Sequence, residues 1–360
     1  MRVLLLDSAY PINTRNIKIL NSIKKHTTHC DVTICTWNRD GREISDNDKF
    51  NYETFNRKAQ YGNPFKKLIQ MFSYYKFLKK CNDKIKPTII IASHWDMLIL
   101  AFFFKLKYQK LIYEILDIPT ASFSLVQNTL NFIERKCLSK TDALIFASRF
   151  YCDLYKDFTG KKIVLENLPL ESNVANLIKY QYVSDKFKIS FIGKLRYFSV
   201  MKNLIDAVDN LDVEILFWGE GPDYNALKEY SEGNSQIKFF GKYDYDYISD
   251  IYNLSDLVWA VYPSLDYNVK YAISNKYYEC VKFKVPGIFA KNTHLGDFVD
   301  KEKIGYTVNP YSVADIKSLF QDILINKEKN LSVKNNLLLS KENKSWENNE
   351  HILIDLINNV

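Results

Sequence analysis

Short apolar runs alternate with stretches of helical periodicity through the first half of the chain. The apolar runs predict β-strands at residues 3–6, 32–36, 88–92, 110–115 and 143–147. The stretches between them space their apolar residues as amphipathic helices do, at 16–25, 64–84, 97–105 and 125–139. Strands that alternate with helices in this way predict a parallel sheet with helices on both faces.

A second series of strands follows a polar interval. After an apolar run at 163–165 and a turn at 166–169, the polar residues 171–186 predict a linker. Further strands are predicted at 188–192, 213–218, 237–240, 257–261, 287–290 and 305–308. The pattern therefore predicts an α/β protein with two Rossmann-like domains, at 1–170 and 187–340. Residues 327–350 are predicted to form an exposed helix pair, and the apolar stretch 351–357 needs a surface to pack on.

Composition places the chain among ordinary globular proteins. It has 360 residues, of which 47% are hydrophobic and 25% are charged, which excludes fibrous and disordered proteins. The longest apolar run has eight residues, at 97–104, whereas a membrane span needs about 20. The apolar start of the chain is too short for a signal peptide, and the six cysteines form no C-x-x-C pair. We therefore expect reduced thiols and a cytoplasmic location.

Charge is distributed unequally along the sequence. The formal net charge is +7, but residues 1–180 hold 28 Lys and Arg against 17 Asp and Glu, and residues 181–360 hold 21 against 25. The basic half could meet nucleic acid or an anionic membrane. Against nucleic acid, the positive charge forms no recognised binding motif and the second half is acidic.

The interval 57–86 favours the membrane, because nine basic residues and one acid, Asp83, are interleaved there with apolar side chains. Those side chains are Phe65, Met71, Phe72, Tyr74, Tyr75 and Phe77. A second such stretch is Phe102–Phe103–Phe104 with Lys105, Lys107 and Lys110. These features predict peripheral attachment to an anionic membrane. The alternative is that the aromatic residues are core and the lysines a solvated face.

Candidate binding chemistry is concentrated in SNKYYECVKFKVPG, residues 274–287. Ser274 and Asn275 open a predicted helix, and a Pro-Gly pair stops it before a strand. Helix N-termini bind phosphate, and Glu279, one turn in, can accept hydrogen bonds from a diol such as a ribose. A capped surface helix explains the same residues, and the sequence leaves both interpretations open.

Glycines after predicted strands provide further candidates. Gly193, in FIGKLR, lets the backbone approach a phosphate, and Lys194, Arg196 and Lys202 supply charge for a diphosphate. Gly219, in WGEGP, and the segment FFGKY that ends at Tyr243 also follow strands. Plain turns with solvated lysines are the alternative.

These segments, in this order, resemble the family 4 glycosyltransferases and their relatives, over nearly the whole chain. The resemblance implies a GT-B fold, with two domains facing each other across a cleft and the nucleotide-sugar donor held mainly by the second. The donor-binding residues it implies are Gly193, Lys194, Arg196, Lys202, Gly219, Tyr243, Ser274, Asn275, Lys276 and Glu279. In this family the glutamate holds the ribose and the helix start faces the diphosphate, so we expect Glu279 at a cleft and not in the core.

The first half carries weaker segments of the same family. YPINTR at 10–15 resembles a Pro-x-Asp-x-Arg loop, which implies Asn13 and Arg15 as acceptor-binding residues. ASHWD at 92–96 and YEILD at 113–117 resemble family segments that imply His94 and Asp117 as catalytic residues on the acceptor side. Relatives also end in a helix, here 341–360, that packs back on the first domain.

One position departs from the family. Many retaining members carry a glutamate eight positions before the one matched by Glu279, and this chain has Tyr271 there. The resemblance implies that this glutamate positions the transferred sugar. Contacts to the sugar must then come from elsewhere in 269–275, or the activity is lost.

The resulting hypothesis is a retaining hexosyltransferase of bacterial polysaccharide or capsule synthesis. It would use a nucleotide sugar, most simply UDP-linked, and a glycan or lipid-linked saccharide acceptor at the inner face of the membrane. No cofactor or metal is expected, because the one Asp-x-Asp of the second half, Asp244 to Asp246, falls on a predicted helix start. A nucleotide-sugar epimerase of the same architecture and a basic binding protein without transferase activity are the alternatives.

Overall fold

The chain divides into two compact units. The computed structural model describes residues 1–43, 50–58, 64–120, 124–173, 178–342 and 344–360. Unit 1 comprises Met1–Glu166 with Asn348–Val360, and unit 2 comprises Asn167–Glu347. The polar interval 171–186, which was expected to be a linker, is counted with unit 2.

Unit 1 is built on a seven-stranded parallel sheet. Its strands are β1 (Arg2–Leu6), β2 (Asp31–Asn38), β3 (Asn51–Asn56), β4 (Ile89–Ser93), β5 (Lys110–Ile115), β6 (Ala143–Phe146) and β7 (Lys161–Val164). They are arranged in the order β3-β2-β1-β4-β5-β6-β7. The sequence pattern did not predict β3, because this edge strand, NYETFN, has no apolar run. The central strands are buried on both faces, as is usual for parallel sheets.

Helices cover this sheet. They are α1 (Thr14–His26), α2 (Pro64–Ile85), α3 (Trp95–Phe104) and α4 (Ser124–Leu138), and a 3-10 helix follows at Arg149–Tyr155. Helix α1 begins where the Asn13 side chain accepts a hydrogen bond from the Asn16 N–H at 2.8 Å. None of the helices among the described residues combines the length and apolar content that a membrane span needs.

Unit 2 repeats the plan with six parallel strands. They are β8 (Phe187–Ile192), β9 (Val213–Trp218), β10 (Ile237–Gly241), β11 (Leu257–Trp259), β12 (Gly287–Ala290) and β13 (Gly305–Val308), in the order β10-β9-β8-β11-β12-β13. The helices are α5 (Phe198–Ala207), α6 (Tyr224–Tyr230), α7 (Ile248–Asn253), α8 (Tyr267–Tyr271), α9 (Asn275–Phe283), α10 (His294–Glu302), α11 (Val313–Ile325) and α12 (Lys327–Leu339). The prediction of an α/β protein with two Rossmann-like domains is confirmed.

The last helix, α13 (Trp346–Asn359), packs in unit 1 against α1. Its Glu350 accepts hydrogen bonds from Ser22 Oγ at 2.9 Å and Lys25 Nζ at 2.7 Å, and lies 2.7 Å from His26 Nε2. Leu353 and its apolar neighbours on α13 are buried. Charged and apolar contacts therefore hold the end of the chain on the first unit.

Candidate functional site

Three strand ends of unit 2 meet through glycines. The Gly193 N–H, after β8, donates to the Trp218 carbonyl at 2.8 Å, and the Gly219 N–H donates to the Gly241 carbonyl at 2.7 Å. Gly219 has φ +130°, and a Cβ there would lie 1.9 Å from the Gly193 oxygen. Only glycine permits this approach, which places both loops at the carboxyl edge of the sheet, where ligands bind in such folds.

The N-terminus of α9 lies at the same edge. The Ser274 side chain accepts a hydrogen bond from the Lys276 N–H at 3.3 Å, so the predicted cap is present. Asn275 is exposed and accepts a hydrogen bond from Asn167 at 3.0 Å. The Lys276 side chain is only 12% exposed, and a Cβ at Gly193 would lie 3.4 Å from its Nζ. An ammonium, a helix start and a glycine are thus brought together.

Glu279 is buried beneath this edge. Its Oε2 accepts a hydrogen bond from Tyr252 Oη at 2.7 Å, and its Oε1 accepts one from Tyr245 Oη at 3.0 Å. Lys276 Nζ lies 3.6 Å from Oε2, and the Glu279 side chain is 4% exposed. The expectation that this carboxylate is open to a cleft is therefore wrong for the structure as it stands. Because a carboxylate has about four acceptor positions and the two tyrosine hydroxyls fill two of them, acceptor capacity remains beside the Lys276 ion pair.

Electrostatics keep these groups in their hydrogen-bonding forms. Burial, followed by the Glu279 charge, raises the pKa of Tyr252 well above its usual value, so this hydroxyl stays protonated and donates. Burial acts to lower the pKa of Lys276, but Glu279 and nearby tyrosines outweigh it, and the net pKa is raised. Lys276 therefore remains a buried cation, which suits it to an anionic ligand.

Tyr243 borders the cation. It is half-buried, burial raises its pKa, and Lys276 is close enough to oppose that shift. Tyr262, which follows β11, acts on the same lysine. Sequence analysis missed Tyr245, Tyr252 and Tyr262, because nothing distinguishes them among 25 tyrosines.

The remaining predicted cations do not join this group. Lys194 and Arg196 are exposed, and the Arg196 guanidinium lies 4.8 Å from the centre of the Tyr197 ring. Lys202 lies within α5, which begins four residues earlier at Phe198. Its Nζ instead donates to Asp206 at 2.6 Å, one helical turn on.

Tyr271, at the departing family position, ends the short helix α8. Its ring centre lies 4.6 Å from the His294 ring and 5.2 Å from the Tyr267 ring. His294 begins α10 and was not predicted as a site residue. An aromatic cluster thus occupies the position where the family resemblance implies a glutamate.

Unit 1 has its own buried polar cluster, at the carboxyl ends of β1, β4 and β5. Asn16 Nδ2 donates to Asp7 at 2.8 Å and to Ser93 Oγ at 3.0 Å. Ser93 Oγ donates to Glu114 at 2.8 Å, and Arg15 Nε donates to the same carboxylate at 2.7 Å. Arg15 is 3% exposed, so this predicted acceptor-binding residue lies in a buried ion pair and not on the surface of a loop.

Two other predicted residues surround Asp7, which sequence analysis missed although it directly follows a strand. Asn13 Nδ2 lies 3.5 Å from Asp7 Oδ2, and His94, with φ +73°, is the N-cap residue directly before α3. Burial raises the pKa of Asp7 to about 6, although His94 and Asn16 act to lower it. Asp117 is exposed two residues beyond β5. Asn13 and His94 thus both lie close to Asp7.

The described residues contain no group of three or more His, Cys, Asp or Glu that could hold a metal ion. Asp244 caps a 3-10 helix at Tyr245–Tyr247, and its side chain accepts a hydrogen bond from the Asp246 N–H. The Asp-x-Asp sequence is accordingly part of a helix start.

Comparison with known structures identifies the fold. The chain is similar to sucrose-phosphate synthase of Thermosynechococcus elongatus, with a TM-score of 0.75 and 14% identity over 99% of this chain and 98% of that one. Anabaena HepE in complex with UDP-glucose matches with a TM-score of 0.73 and 14% identity over 100% of both chains. A Listeria monocytogenes protein described as a UDP-N-acetylglucosamine 2-epimerase matches with a TM-score of 0.62 and 10% identity, over 92% of this chain and 90% of that one. At such identities the likeness establishes the fold alone.

Comparison of sequences is more specific for unit 2. No curated protein matches the chain. Residues 186–326 match the model of a family described as glycosyl transferases group 1. This interval contains Gly193, Lys276 and Glu279 with the tyrosines around them. The chain therefore has the fold of GT-B glycosyltransferases, and residues 186–326, within its second unit, match the group 1 glycosyl transferase family.

Proposed function

We propose that the chain is a retaining, family 4-like glycosyltransferase that moves a sugar from a UDP-linked donor to a glycan or lipid-linked acceptor in polysaccharide or capsule synthesis. One observation carries the proposal: the buried Lys276 ammonium lies at the start of α9, beside Gly193, inside the matched domain. This arrangement offers a nucleoside diphosphate a desolvated cation and the partial positive charge of a helix start.

Each part has a chemical task in the proposed reaction. Lys276 and the start of α9 bind the diphosphate and stabilise the charge that it gains as the bond from phosphate oxygen to the sugar C1 breaks. Glu279 uses its remaining acceptor position for a hydrogen bond from one ribose hydroxyl. Tyr245 is the more exposed of the two tyrosines that donate to Glu279, and its displacement can free an acceptor position for a second ribose hydroxyl.

Retention requires the acceptor oxygen to bond to C1 on the face from which the diphosphate leaves. The proton of the acceptor hydroxyl then passes to a departing phosphate oxygen, so no side-chain base is needed. We place the acceptor on unit 1, near Asn13, His94 and Asp117, and the enzyme in the cytoplasm at the inner face of the membrane. The reaction as written uses neither a cofactor nor a metal.

Calorimetric titration of the full chain with UDP tests the donor site. Lys276→Met should weaken UDP binding about tenfold or more, because the diphosphate loses a desolvated cation. Lys282→Gln is the matched control, since Lys282 lies on the same helix, is also 12% exposed, and pairs with Glu171 at 3.0 Å instead. Equal UDP affinity in wild type and Lys276→Met, with the fold intact, would refute the donor site.

The epimerase alternative shares the fold, as the Listeria protein shows. The two functions differ in their need for an acceptor. A UDP-sugar incubated with the chain alone should remain unchanged under the proposed function. A new UDP-sugar epimer formed without acceptor would favour the alternative.

A further inference from the structure

Three helices of unit 1 lie on one face of its sheet. Crossover connections between parallel strands are right-handed, so the direction of each step along the sheet decides the face of its helix. The step from β1 to β2 runs toward the β3 edge of the sheet. The steps from β3 to β4, β4 to β5 and β5 to β6 run toward the β7 edge. Helices α2, α3 and α4 therefore share the face opposite α1. We call this layer of three helices the α2–α4 face.

Each helix of this face presents a phenylalanine to solvent. Phe72 on α2 is 61% exposed, Phe103 on α3 is 65% exposed and Phe132 on α4 is 68% exposed. Leu125, also on α4, is 78% exposed. Isolated exposed apolar residues are common, but large ones on three adjacent helices indicate an interaction surface.

Not all aromatic residues of the predicted membrane segment contribute. Tyr74 and Phe104 are buried, and Tyr74 packs 5.2 Å from Trp37, ring centre to ring centre, so these two belong to the core. Phe65 lies outside the described side chains. The sequence pattern therefore did not separate core residues from surface residues.

The α2–α4 face is strongly basic. Residues 70–86, 102–110 and 125–140, which cover these helices and the segments directly after them, together hold eleven Lys and Arg against two acids, of which Glu134 is buried. Three of these cations are paired with acids outside the three ranges: Lys84 with Glu53, and Lys105 and Lys110 with Asp142. Some cations lie directly beside the rings: Lys76 Nζ is 4.7 Å from the centre of Phe72, and Lys140 Nζ is 4.2 Å from the centre of Phe102. Aromatic side chains flanked by lysines are suited to the surface of an anionic membrane, where the rings contact the apolar acyl chains and the lysines contact the anionic headgroups.

We propose that the α2–α4 face docks on an anionic lipid surface, with Phe72, Phe103 and Phe132 inserting and the lysines pairing with headgroups. The inference rests on the proposed function only in that a lipid-linked acceptor would be reached from this surface. Vesicle binding requires neither a sugar donor nor sugar transfer. A failure of the chain to bind vesicles would therefore leave the UDP titration of unit 2 unaffected.

Flotation of the full chain with vesicles tests the proposal. Wild type should bind vesicles containing phosphatidylglycerol, bind phosphatidylcholine vesicles much less, and lose binding as salt is raised. The triple variant Phe72→Ser, Phe103→Ser, Phe132→Ser and the charge variant Lys76→Gln, Lys136→Gln, Lys140→Gln should each bind at least about tenfold less. Circular dichroism and unchanged UDP affinity confirm that both variants are folded.

The matched control is Ile325→Ser, Leu331→Ser, Leu339→Ser, which removes three exposed apolar residues from α11 and α12 of unit 2. It should bind vesicles as wild type does. Equal binding to both vesicle types, or an equal loss in the control, would overturn the proposal. So would a dimer, seen by sedimentation without lipid, that only the triple phenylalanine variant abolishes, because the face would then contact a second copy of the chain.

Discussion

Replacing Glu279 by alanine should destabilise unit 2 strongly. This result would distinguish a buried carboxylate that stabilises the fold from a carboxylate that only binds a ligand. The change removes the acceptor for Tyr252 Oη at 2.7 Å and Tyr245 Oη at 3.0 Å, together with the counter-charge of Lys276 at 3.6 Å. Tyr252 is completely buried, so no water replaces its lost acceptor.

The magnitude follows from these contacts. Removing one partner of a buried, hydrogen-bonded ion pair costs about 3–5 kcal/mol of the free energy of unfolding. Tyr252→Phe, which removes one hydrogen bond to a charged group, should cost about 1.5–3 kcal/mol. Glu279→Gln keeps one acceptor oxygen and should fall between wild type and alanine. Lys282→Gln, whose partner Glu171 is 60% exposed, should cost less than about 1 kcal/mol.

Guanidinium unfolding of the full chain, followed by tryptophan fluorescence, measures these changes. Because a chain of two units need not unfold in one step, hydrogen exchange of peptides from α7 and α9 assigns the loss to unit 2. Peptides from α1 serve as the internal reference, because they belong to unit 1.

Two results would refute the reasoning. A free energy of unfolding within about 0.5 kcal/mol of wild type for Glu279→Ala would mean that the carboxylate is solvated and not buried. Additive losses in Glu279→Gln combined with Tyr252→Phe would mean that the two groups do not interact, since contacting residues should couple.

Three further predictions concern other parts of the chain. Burial raises the pKa of Asp7 from 3.8 to about 6, so between these pH values the folded chain retains a proton that the unfolded chain releases. The free energy of unfolding of unit 1 should therefore fall by about 3 kcal/mol as pH rises through this window. Asp7→Asn should flatten the pH dependence of thermal unfolding. Gly219→Ala should cost more than about 3 kcal/mol because its Cβ would meet the Gly193 oxygen, whereas Gly233→Ala, at φ +79° with open space around it, should cost about 1–2 kcal/mol in the same guanidinium unfolding measurement. Glu350→Ala should speed hydrogen exchange in α13 and cost about 2 kcal/mol, because the helix loses its charged contacts with α1.

Hydrophobic periodicity alone determined most of the fold. Strands of β-branched and apolar residues, such as β4 and β9, are recognisable because both faces of a parallel sheet are buried. The edge strand β3 was missed for the same reason, since it lacks a buried face and an apolar run. The cap at Ser274 and the glycine turns were predictable too, because they depend on local backbone chemistry.

Tertiary structure alone decided which side chains meet. Glu279 could be assigned to the start of α9, but its burial depends on Tyr245 and Tyr252, 34 and 27 residues away in sequence. Arg15 pairs with Glu114 across 99 residues. Periodicity shows which face of a helix is apolar, but it does not show which distant carboxylate a cation will reach. The energies of buried charges depend on those distances and on the local exclusion of water, and both arise only when the strands assemble.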